Sequence, residues 1–523
     1  MSERIVRSPR PKALWLIWGA VALIALLALW RLESARSTVV ETVFETGSDL
    51  EAGIPTTAVS LYHVGVDPTG PLVVVTHGFA GSRQMMQYIS RDLARAGYTV
   101  AAFDFLGQGR SSGRMSSDVT RIEGTTQQLV AQTRAVTRAV QAATGSSGPL
   151  ALLGHSMATD IIVRAAEDLP DVAAIVAISM YSDAVTATSP QRLLVLSGAW
   201  ETRLRAVALQ AIAQVVAEGG EGETVRNGAV IRRAQAIPLT EHVGVLFAPL
   251  TLLEARRWLD QAFQIATDTG RRGATPTVSE TPVDAVAPLR EGPLILTVLV
   301  ALTALIWPVS RVLPLSAQAS QAVPLRTFCT ALFLPAVPAL AAPLLWSGPL
   351  LGSASFGGLL AFFALWGGTS LAVIVHAGWR PARLHGRGLL LLLFWALCVF
   401  AVALDRYGAA FLPTGPRLPL MVVLLIGTVP FMLADRVLAE GARLWQRVVL
   451  RAVPVVTLTA SMMLFPQDLG LLFTVLPVMV LFYVVFGSMA RAIGHRTTPE
   501  TVGLAQGVIL AWSITASTPL FAG

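Results

Sequence analysis

The sequence contains little cysteine and little charge of either sign. Only two of its 523 residues are cysteines, Cys329 and Cys398, and both lie in apolar runs. The polar part of the chain can therefore form neither a disulfide nor a cysteine-based zinc site. Charged residues make up 14% of the chain and hydrophobic residues 54%, whereas soluble domains are usually about a quarter charged. This composition argues against a wholly soluble protein.

Lysine is nearly absent, since Lys12 is the only one and arginine carries almost all of the positive charge. The formal net charge is +7. The arginines are scattered or stand at the ends of apolar runs, which is typical of membrane topology and not of a phosphate-binding stripe. We therefore expect a lipid bilayer and no nucleic acid as a partner.

The N-terminal region predicts a membrane anchor. A basic segment, residues 1–12, precedes an apolar run of spanning length, residues 13–30. The alternative is a cleaved signal peptide, but the run is long for one and Glu33-Ser34-Ala35 is a poor cleavage site. These features favour an uncleaved signal-anchor helix with a cytoplasmic N-terminus.

The C-terminal half predicts a membrane domain. Residues 268–291 resemble a linker, and residues 292–523 contain about eight candidate transmembrane helices. Arginines concentrate in the loops that would share the side of the N-terminus. By the positive-inside rule that side is cytoplasmic, and the region 32–291 is exoplasmic, or periplasmic in a Gram-negative bacterium. The candidate spans are 293–310, 327–346, 356–376, 388–404, 418–434, 452–466, 470–489 and 502–521.

Residues 37–267 predict an α/β domain, because short β-branched runs alternate with segments of helical length. This alternation indicates a doubly wound, mostly parallel sheet covered by helices. The predicted strands are 38–45, 57–64, 72–76, 99–103, 150–153, 173–179, 192–197 and 229–236. The predicted helices are 83–96, 118–143, 156–168, 201–217 and 248–265.

The segment Leu150–Ala158 has the pattern of a nucleophile elbow. An apolar strand ends in Gly154-His155-Ser156-Met157-Ala158, and small residues two positions before and after the serine let strand and helix cross closely. An earlier glycine-rich turn, His77-Gly78-Phe79-Ala80-Gly81-Ser82, follows another apolar strand. We predict that the backbone amides of Phe79 and Met157 form an oxyanion hole.

A serine hydroxyl needs a base, and the chain order nucleophile, acid, histidine provides a test. Glu201 stands three residues after the glycine that ends strand 192–197, and is the predicted acid. Asp183, after the preceding strand, is the alternative. His242 follows the last predicted strand and is the predicted base. No metal site and no cofactor are predicted.

Together these motifs, with Asp104-Phe105-Leu106-Gly107-Gln108-Gly109-Arg110-Ser111 and Gly198-Ala199-Trp200-Glu201, resemble the α/β-hydrolase fold superfamily. The closest branch contains monoglyceride lipase and serine aminopeptidase-like hydrolases. The resemblance covers residues 38–266, under half of the chain. It departs from the family at Ala158, where glycine is usual, at Gln108, where histidine is frequent, and at the glutamate acid.

The resemblance implies a serine hydrolase of carboxylic esters. The predicted spans anchor this hydrolase in a membrane, and that location favours a lipid or amphiphilic ester as substrate. Many relatives insert a helical lid between the sixth and seventh strands, but only Met180 to Gln191 is available here, which predicts an open site. One alternative is an acyltransferase with the same triad, distinguished by acceptor-dependent product. Another is a non-catalytic module of a membrane transport or signalling protein. Protein partners are not predicted.

Overall fold

A computed structural model describes residues 11–48, 54–118, 122–270, 287–314, 323–346, 350–353 and 355–522. The chain divides into two units, which are described separately. The sheet unit contains Ser34–Gly292 together with the short segments Asp405–Ala410 and Ala516–Gly523. The helical unit contains the remaining segments, Met1–Glu33, Pro293–Leu404 and Phe411–Thr515.

The sheet unit is built on one nine-stranded sheet, reached after helix α1 (Pro11–Arg36). In spatial order the strands are β1-β2-β4-β3-β5-β6-β7-β9-β8. The six neighbouring strands β4, β3, β5, β6, β7 and β9 pair in parallel, whereas β1, β2 and β8 join the sheet by antiparallel pairing. The strands are β1 (Val40–Glu45), β2 (Ala58–His63), β3 (Leu72–Thr76), β4 (Thr99–Phe103), β5 (Leu150–His155), β6 (Val172–Ile178), β7 (Arg192–Gly198), β8 (Thr224–Asn227) and β9 (Val230–Ile237).

The central strands are apolar on both faces because helices cover both sides of the sheet. Every residue of β3, β4 and β5 is buried. The covering helices are α2 (Arg83–Arg95), α3 (Gln127–Thr144), α4 (Ala158–Ala166), α5 (Thr202–Ala213) and α6 (Pro249–Gly270). The predicted α/β fold with a mostly parallel sheet is confirmed.

Two elements differ from the prediction. Strand β8 was not predicted, and it forms a hairpin with β9 across Gly228, whose φ is +58°. The predicted helix 118–143 is a regular α-helix only from Gln127, because Gly124 has non-helical backbone angles. Residues 119–121 of that helix lie outside the described residues.

Segments distant in sequence complete the sheet unit. The amide of Leu520 donates to the carbonyl of Gly107 over 2.8 Å, and the amide of Met115 donates to the carbonyl of Leu520 over 3.0 Å. The amide of Ala410 donates to Ser82 Oγ over 3.0 Å. The sheet unit therefore includes residues beyond 267, the position at which the α/β domain was predicted to end.

A buried ion pair holds another distant segment in place. Arg256 Nη2 lies 2.5 Å from Asp92 Oδ1, and both side chains are fully buried. The same carboxylate oxygen accepts the amide of Leu289 over 2.9 Å, and Arg91 pairs with buried Glu291. Residues 289–291, predicted as linker, thus pack into the sheet unit, while residues 271–286 of that linker lie outside the described residues.

The helical unit contains long apolar helices. After α7 (Glu291–Val309), the described part of the chain forms three short helices, followed by long helices and a few further short ones. One of these runs from Gly386 to Tyr407, with a wider turn at Phe394–Phe400 between its two α-helical parts. In chain order they are α8 (Leu325–Phe333), α9 (Ala336–Leu340), α10 (Ala342–Leu345), α11 (Phe356–His376), α12 (Gly386–Leu393), α13 (Ala401–Tyr407), α14 (Arg417–Ala439), α15 (Leu444–Leu464), α16 (Pro466–Leu469), α17 (Val475–Gly494) and α18 (Pro499–Ser517).

Among the described residues, seven helices are long and apolar enough to cross a membrane, one near the N-terminus and six from Glu291 onwards. Two of the eight predicted C-terminal spans are not among them. The region 327–346 is divided into α8, α9 and α10, as expected for a stretch with three prolines. The region 502–521 corresponds to α18, which is helical but not among the sufficiently apolar helices.

We expect Arg256→Met to destabilise the sheet unit by about 3–5 kcal/mol, because it leaves the Asp92 carboxylate buried without its cation. The matched control is Arg257→Met at the next position, whose side chain is 48% exposed. Thermal unfolding of the full chain in detergent measures the effect. Equal midpoints for the two variants would contradict the assigned role of the Asp92 pair.

Candidate active site

The turn between β5 and α4 presents the side chain of Ser156. Ser156 has a left-handed backbone with φ +55°, a conformation that a residue with a Cβ adopts only when its surroundings enforce it. A Cβ added at Gly154 would lie 3.0 Å from the carbonyl oxygen of Ala158. One added at Gly78 would lie 3.0 Å from Ser156 Cβ. Glycine at these two positions allows the close crossing on which the turn depends.

Three predicted site residues lie in one hydrogen-bonded chain. Ser156 Oγ is 2.9 Å from His242 Nε2, and His242 Nδ1 is 2.6 Å from Glu201 Oε1. The residues come from three separate loops, after β5, β7 and β9. All three strands run parallel, so these loops share the carboxyl edge of the sheet, where ligands bind in α/β folds. The arrangement has the connectivity of a Ser-His-acid triad.

The carboxylate of Glu201 is held at both oxygens. Its Oε2 accepts hydrogen bonds from Ser179 Oγ over 2.7 Å and from the Gly198 amide over 2.6 Å. Burial by itself raises the pKa of Glu201, but the hydrogen bonds from His242, Ser179 and Gly198 outweigh it, and the net pKa is below the usual value. Glu201 therefore remains a carboxylate at neutral pH, able to orient an imidazole.

A second histidine, His155, stabilises the loop that carries His242. His155 is buried, and its Nε2 lies 2.8 Å from the carbonyl oxygen of His242. Burial, with the neighbouring His242 ring, lowers the pKa of His155 to about 4. His155 is thus neutral at physiological pH and its Nε2–H donates to that carbonyl. It fixes the backbone of His242 without placing a positive charge beside the ring.

The alternative acid lies elsewhere. Asp183 pairs with Arg164 Nη2 over 2.5 Å, and its side chain is 85% exposed. Arg164 also pairs with Asp160 on α4. Of the two candidate carboxylates, Glu201 is therefore the one that contacts His242.

The predicted oxyanion donors follow neighbouring strands. Phe79 comes after β3 and Met157 after β5, and these strands pair from Leu72 opposite Leu150 to Thr76 opposite Gly154. Ala80 has φ +56° and the amide of Gly81 donates to Gly78 over 3.0 Å, which forms a tight turn after β3. The role of both amides stays a prediction.

Two supporting residues were not predicted. Ser179 stands directly after β6 with φ +53°, and its buried hydroxyl binds Glu201. A serine at the carboxyl end of a parallel strand was the available sequence signal, but serine is too common there to identify it. His155 precedes the nucleophile, and only the geometry reveals its bond to His242.

The rim near the triad is open and rich in apolar side chains. The side chain of His242 is 43% exposed, and Trp200, Leu239 and Tyr181 are 65%, 83% and 62% exposed. A cleft of about 510 Å³ is lined by Met180 and Tyr181 after β6, by part of α4 and by the face of α5. Its walls mix apolar and polar groups; the polar ones are Thr126, Asp160, Arg164, Ser182, Asp183, Gln210 and Gln214.

Comparison with known proteins defines the class of this domain. Residues 71–218 match the family model described as alpha/beta hydrolase fold. This stretch runs from the start of β3 past β7 and includes Ser156 and Glu201. The sheet unit has the α/β-hydrolase fold, and the resemblance found in the sequence is confirmed. No curated protein sequence matches the chain.

Solved structures similar to the chain include TT1662 from Thermus thermophilus, with 18% identity, a TM-score of 0.30, and 43% of this chain and 98% of that one covered. A dienelactone hydrolase from Anabaena variabilis has 16% identity, a TM-score of 0.33 and coverages of 44% and 99%. A soluble variant of monoglyceride lipase from Saccharomyces cerevisiae has 13% identity, a TM-score of 0.33 and coverages of 43% and 96%. Likenesses this distant carry no argument about substrate.

We expect Glu201→Gln to reduce esterase kcat/KM by about 10²–10⁴-fold, because an amide no longer stabilises the imidazolium that forms during reaction. Asp183→Asn is the matched control, since it removes a carboxylate whose ion pair is with Arg164 and not with His242, and it should keep activity within about threefold. Steady-state kinetics on short-chain esters provides the measurement. Near-full activity in Glu201→Gln with loss in Asp183→Asn would transfer the acid role to Asp183.

Proposed function

We propose that this protein is a membrane-anchored serine hydrolase that cleaves carboxylic esters through the triad Ser156, His242 and Glu201. The observation that carries the proposal is the continuous chain of hydrogen bonds from Ser156 Oγ through His242 to Glu201, at 2.9 and 2.6 Å. These distances are within the reach that proton transfer requires. The fold of residues 71–218 supports the same reaction class.

The mechanism follows from the positions of the three side chains. Ser156 Oγ attacks the acyl carbonyl carbon as His242 Nε2 takes the hydroxyl proton, and the Phe79 and Met157 amides stabilise the oxyanion. The tetrahedral intermediate collapses, and the alcohol leaves with the proton from His242. Water then attacks the acyl-enzyme with His242 again as base, and releases a carboxylic acid and free Ser156. Glu201 keeps Nδ1 protonated throughout.

The surroundings of the triad support an amphiphilic ester as substrate. Exposed Trp200, Leu239 and Tyr181 offer apolar contact at the rim. A cleft between α4 and α5, which also includes Tyr181 and is lined in part by Arg164 and Gln210, provides hydrogen-bonding groups for a polar part. A substrate with both an acyl chain and a polar portion matches this mixture better than a purely apolar ester.

We further propose that the hydrolase domain works on the exoplasmic side of a membrane. The seven apolar helices support a membrane protein, and the distribution of arginines between loops supports a cytoplasmic N-terminus. An alkaline phosphatase fusion near residue 270 should be active in a bacterial host, and a fluorescent-protein fusion at that position should be dark. The reverse pattern would place the domain in the cytoplasm.

A fluorophosphonate probe tests the nucleophile directly. Ser156 Oγ should bond to phosphorus with loss of fluoride, so the wild-type protein becomes labelled and Ser156→Ala does not. Ser182→Ala is the control, because Ser182 Oγ binds Asp160 and lies outside the triad, and it should be labelled like wild type. In-gel fluorescence of the full chain in detergent gives the readout. An unlabelled wild type would refute the serine hydrolase.

A further inference from the structure

The helical unit contains a cluster of ionisable residues that lies at the ends of three helices. α14 ends, α15 begins and α17 ends at this point. A pocket of about 90 Å³ between them is lined by four arginines and one histidine, with Glu440 the only carboxylate in its lining; the basic residues are Arg436, Arg447, Arg451, Arg491 and His495. We refer to it as the arginine pocket. No step of the proposed ester hydrolysis uses it.

Among the described residues, the nearby carboxylates do not balance the positive charge of the arginine pocket. Asp435, the other carboxylate nearby, lies 3.8 Å from Arg451 Nε and accepts no hydrogen bond within the described residues. Even when both acids are counted, four arginines exceed them by two charges. Isolated charges are costly to bury unless a counter-ion compensates them.

Several guanidinium groups of the arginine pocket have a buried N–H donor with no hydrogen-bond partner among the described residues. Arg436 is only 6% exposed, and in the described part of the chain no partner is found for its buried Nε. The Nε atoms of Arg447 and Arg451 are likewise buried and have no hydrogen-bond partner among those residues, although Arg451 Nε faces Asp435. The guanidinium of Arg451 packs over the ring of Tyr483 at 5.2 Å. Guanidinium groups bind phosphate oxygens in bidentate fashion, so a cluster of arginines with such donors suits a phosphate ligand.

We propose that the arginine pocket binds the phosphate group of an anionic phospholipid. The small volume admits one phosphate and not the rest of a lipid. A neighbouring cleft of about 260 Å³ shares Glu440 with the pocket and has both polar and apolar lining groups, the apolar ones including Leu325, Phe328, Leu438 and Trp445. This cleft favours a lipid over free phosphate, because it gives the glycerol and the start of an acyl chain a surface to contact.

The position of the pocket fits the same ligand. It lies where apolar helices of spanning length end, and exposed Leu444 and Trp445 flank it at the start of α15. Tryptophan is enriched at the level of lipid headgroups, and basic pockets between transmembrane helices bind anionic headgroups. By the distribution of arginines this end faces the cytoplasm.

Lipid binding to the full chain in a neutral detergent tests the proposal. We expect native mass spectrometry to show one tightly held phosphatidylglycerol, retained at least about tenfold better than phosphatidylcholine. The double variant Arg447→Gln/Arg451→Gln should lose this preference. The control Arg380→Gln/Arg383→Gln removes the same charge from an exposed loop, and should keep it.

A comparison of inorganic phosphate with phosphatidylglycerol distinguishes the two possible sources of the bound phosphate group. If inorganic phosphate at millimolar concentration raises the unfolding temperature and phosphatidylglycerol does not, the lipid assignment is wrong. If neither ligand binds the wild-type chain selectively, the site itself is refuted. Should the double variant fail to elute as a single species, Arg447→Lys/Arg451→Lys replaces it, because lysine keeps the charge but loses the bidentate fork. Undiminished selectivity in that variant would also refute the site.

Discussion

The left-handed backbone of Ser156 is the constraint on which the candidate active site depends. A residue with a Cβ pays about 1–3 kcal/mol for such a conformation, and the surrounding packing has to enforce it. Gly154 and Gly78 supply the space, and the amide of Ser156 donates to Ile178 over 2.9 Å. Because the turn is fixed in this way, the hydroxyl is directed at His242 before any substrate arrives.

The other two residues of the triad, His242 and Glu201, are also held in position by hydrogen bonds. His242 is held at its backbone by His155 and at its ring by Glu201. Glu201 is held by Ser179 and by the Gly198 amide. Gly198 in turn cannot carry a side chain, because a Cβ would lie 2.7 Å from the carbonyl oxygen of Thr240. Preorganisation of this kind is the main means by which acyl-transfer enzymes stabilise charge during reaction.

Most of the sheet was predictable, because buried parallel strands form continuous apolar runs that end in turn residues. Strand β8 was missed because Thr224–Asn227 has one buried apolar residue and no periodicity. The Asn227-Gly228 pair was its only local signal, a frequent turn in hairpins. Ser156, His242 and Glu201 could be predicted as a set because the order of motifs along the chain constrains them together. The assignment of their roles remains a prediction.

Contacts between distant segments could not be predicted, because no local pattern records them. The arginine pocket belongs to this class, since its residues come from three helices and each alone is typical of a helix end. The two predicted spans that are not among the long apolar helices differ from the prediction for another reason. Hydropathy alone identified 327–346, although its prolines divide the helix, and 502–521, although α18 is not among the helices that are long and apolar enough to cross a membrane.

The pairing of Leu520 with Gly107 and Met115 has a consequence for biosynthesis. Residue 520 is made about 400 residues after Met115, which at about 5–20 residues per second takes at least some 20 seconds on the ribosome. Until then the backbone groups at Gly107 and Met115 lack these partners. The sheet unit therefore finishes folding only after every helix from α7 to α18 has been translated. A chain that stops before Leu520 would leave the carbonyl of Gly107 and the amide of Met115 without these hydrogen bonds.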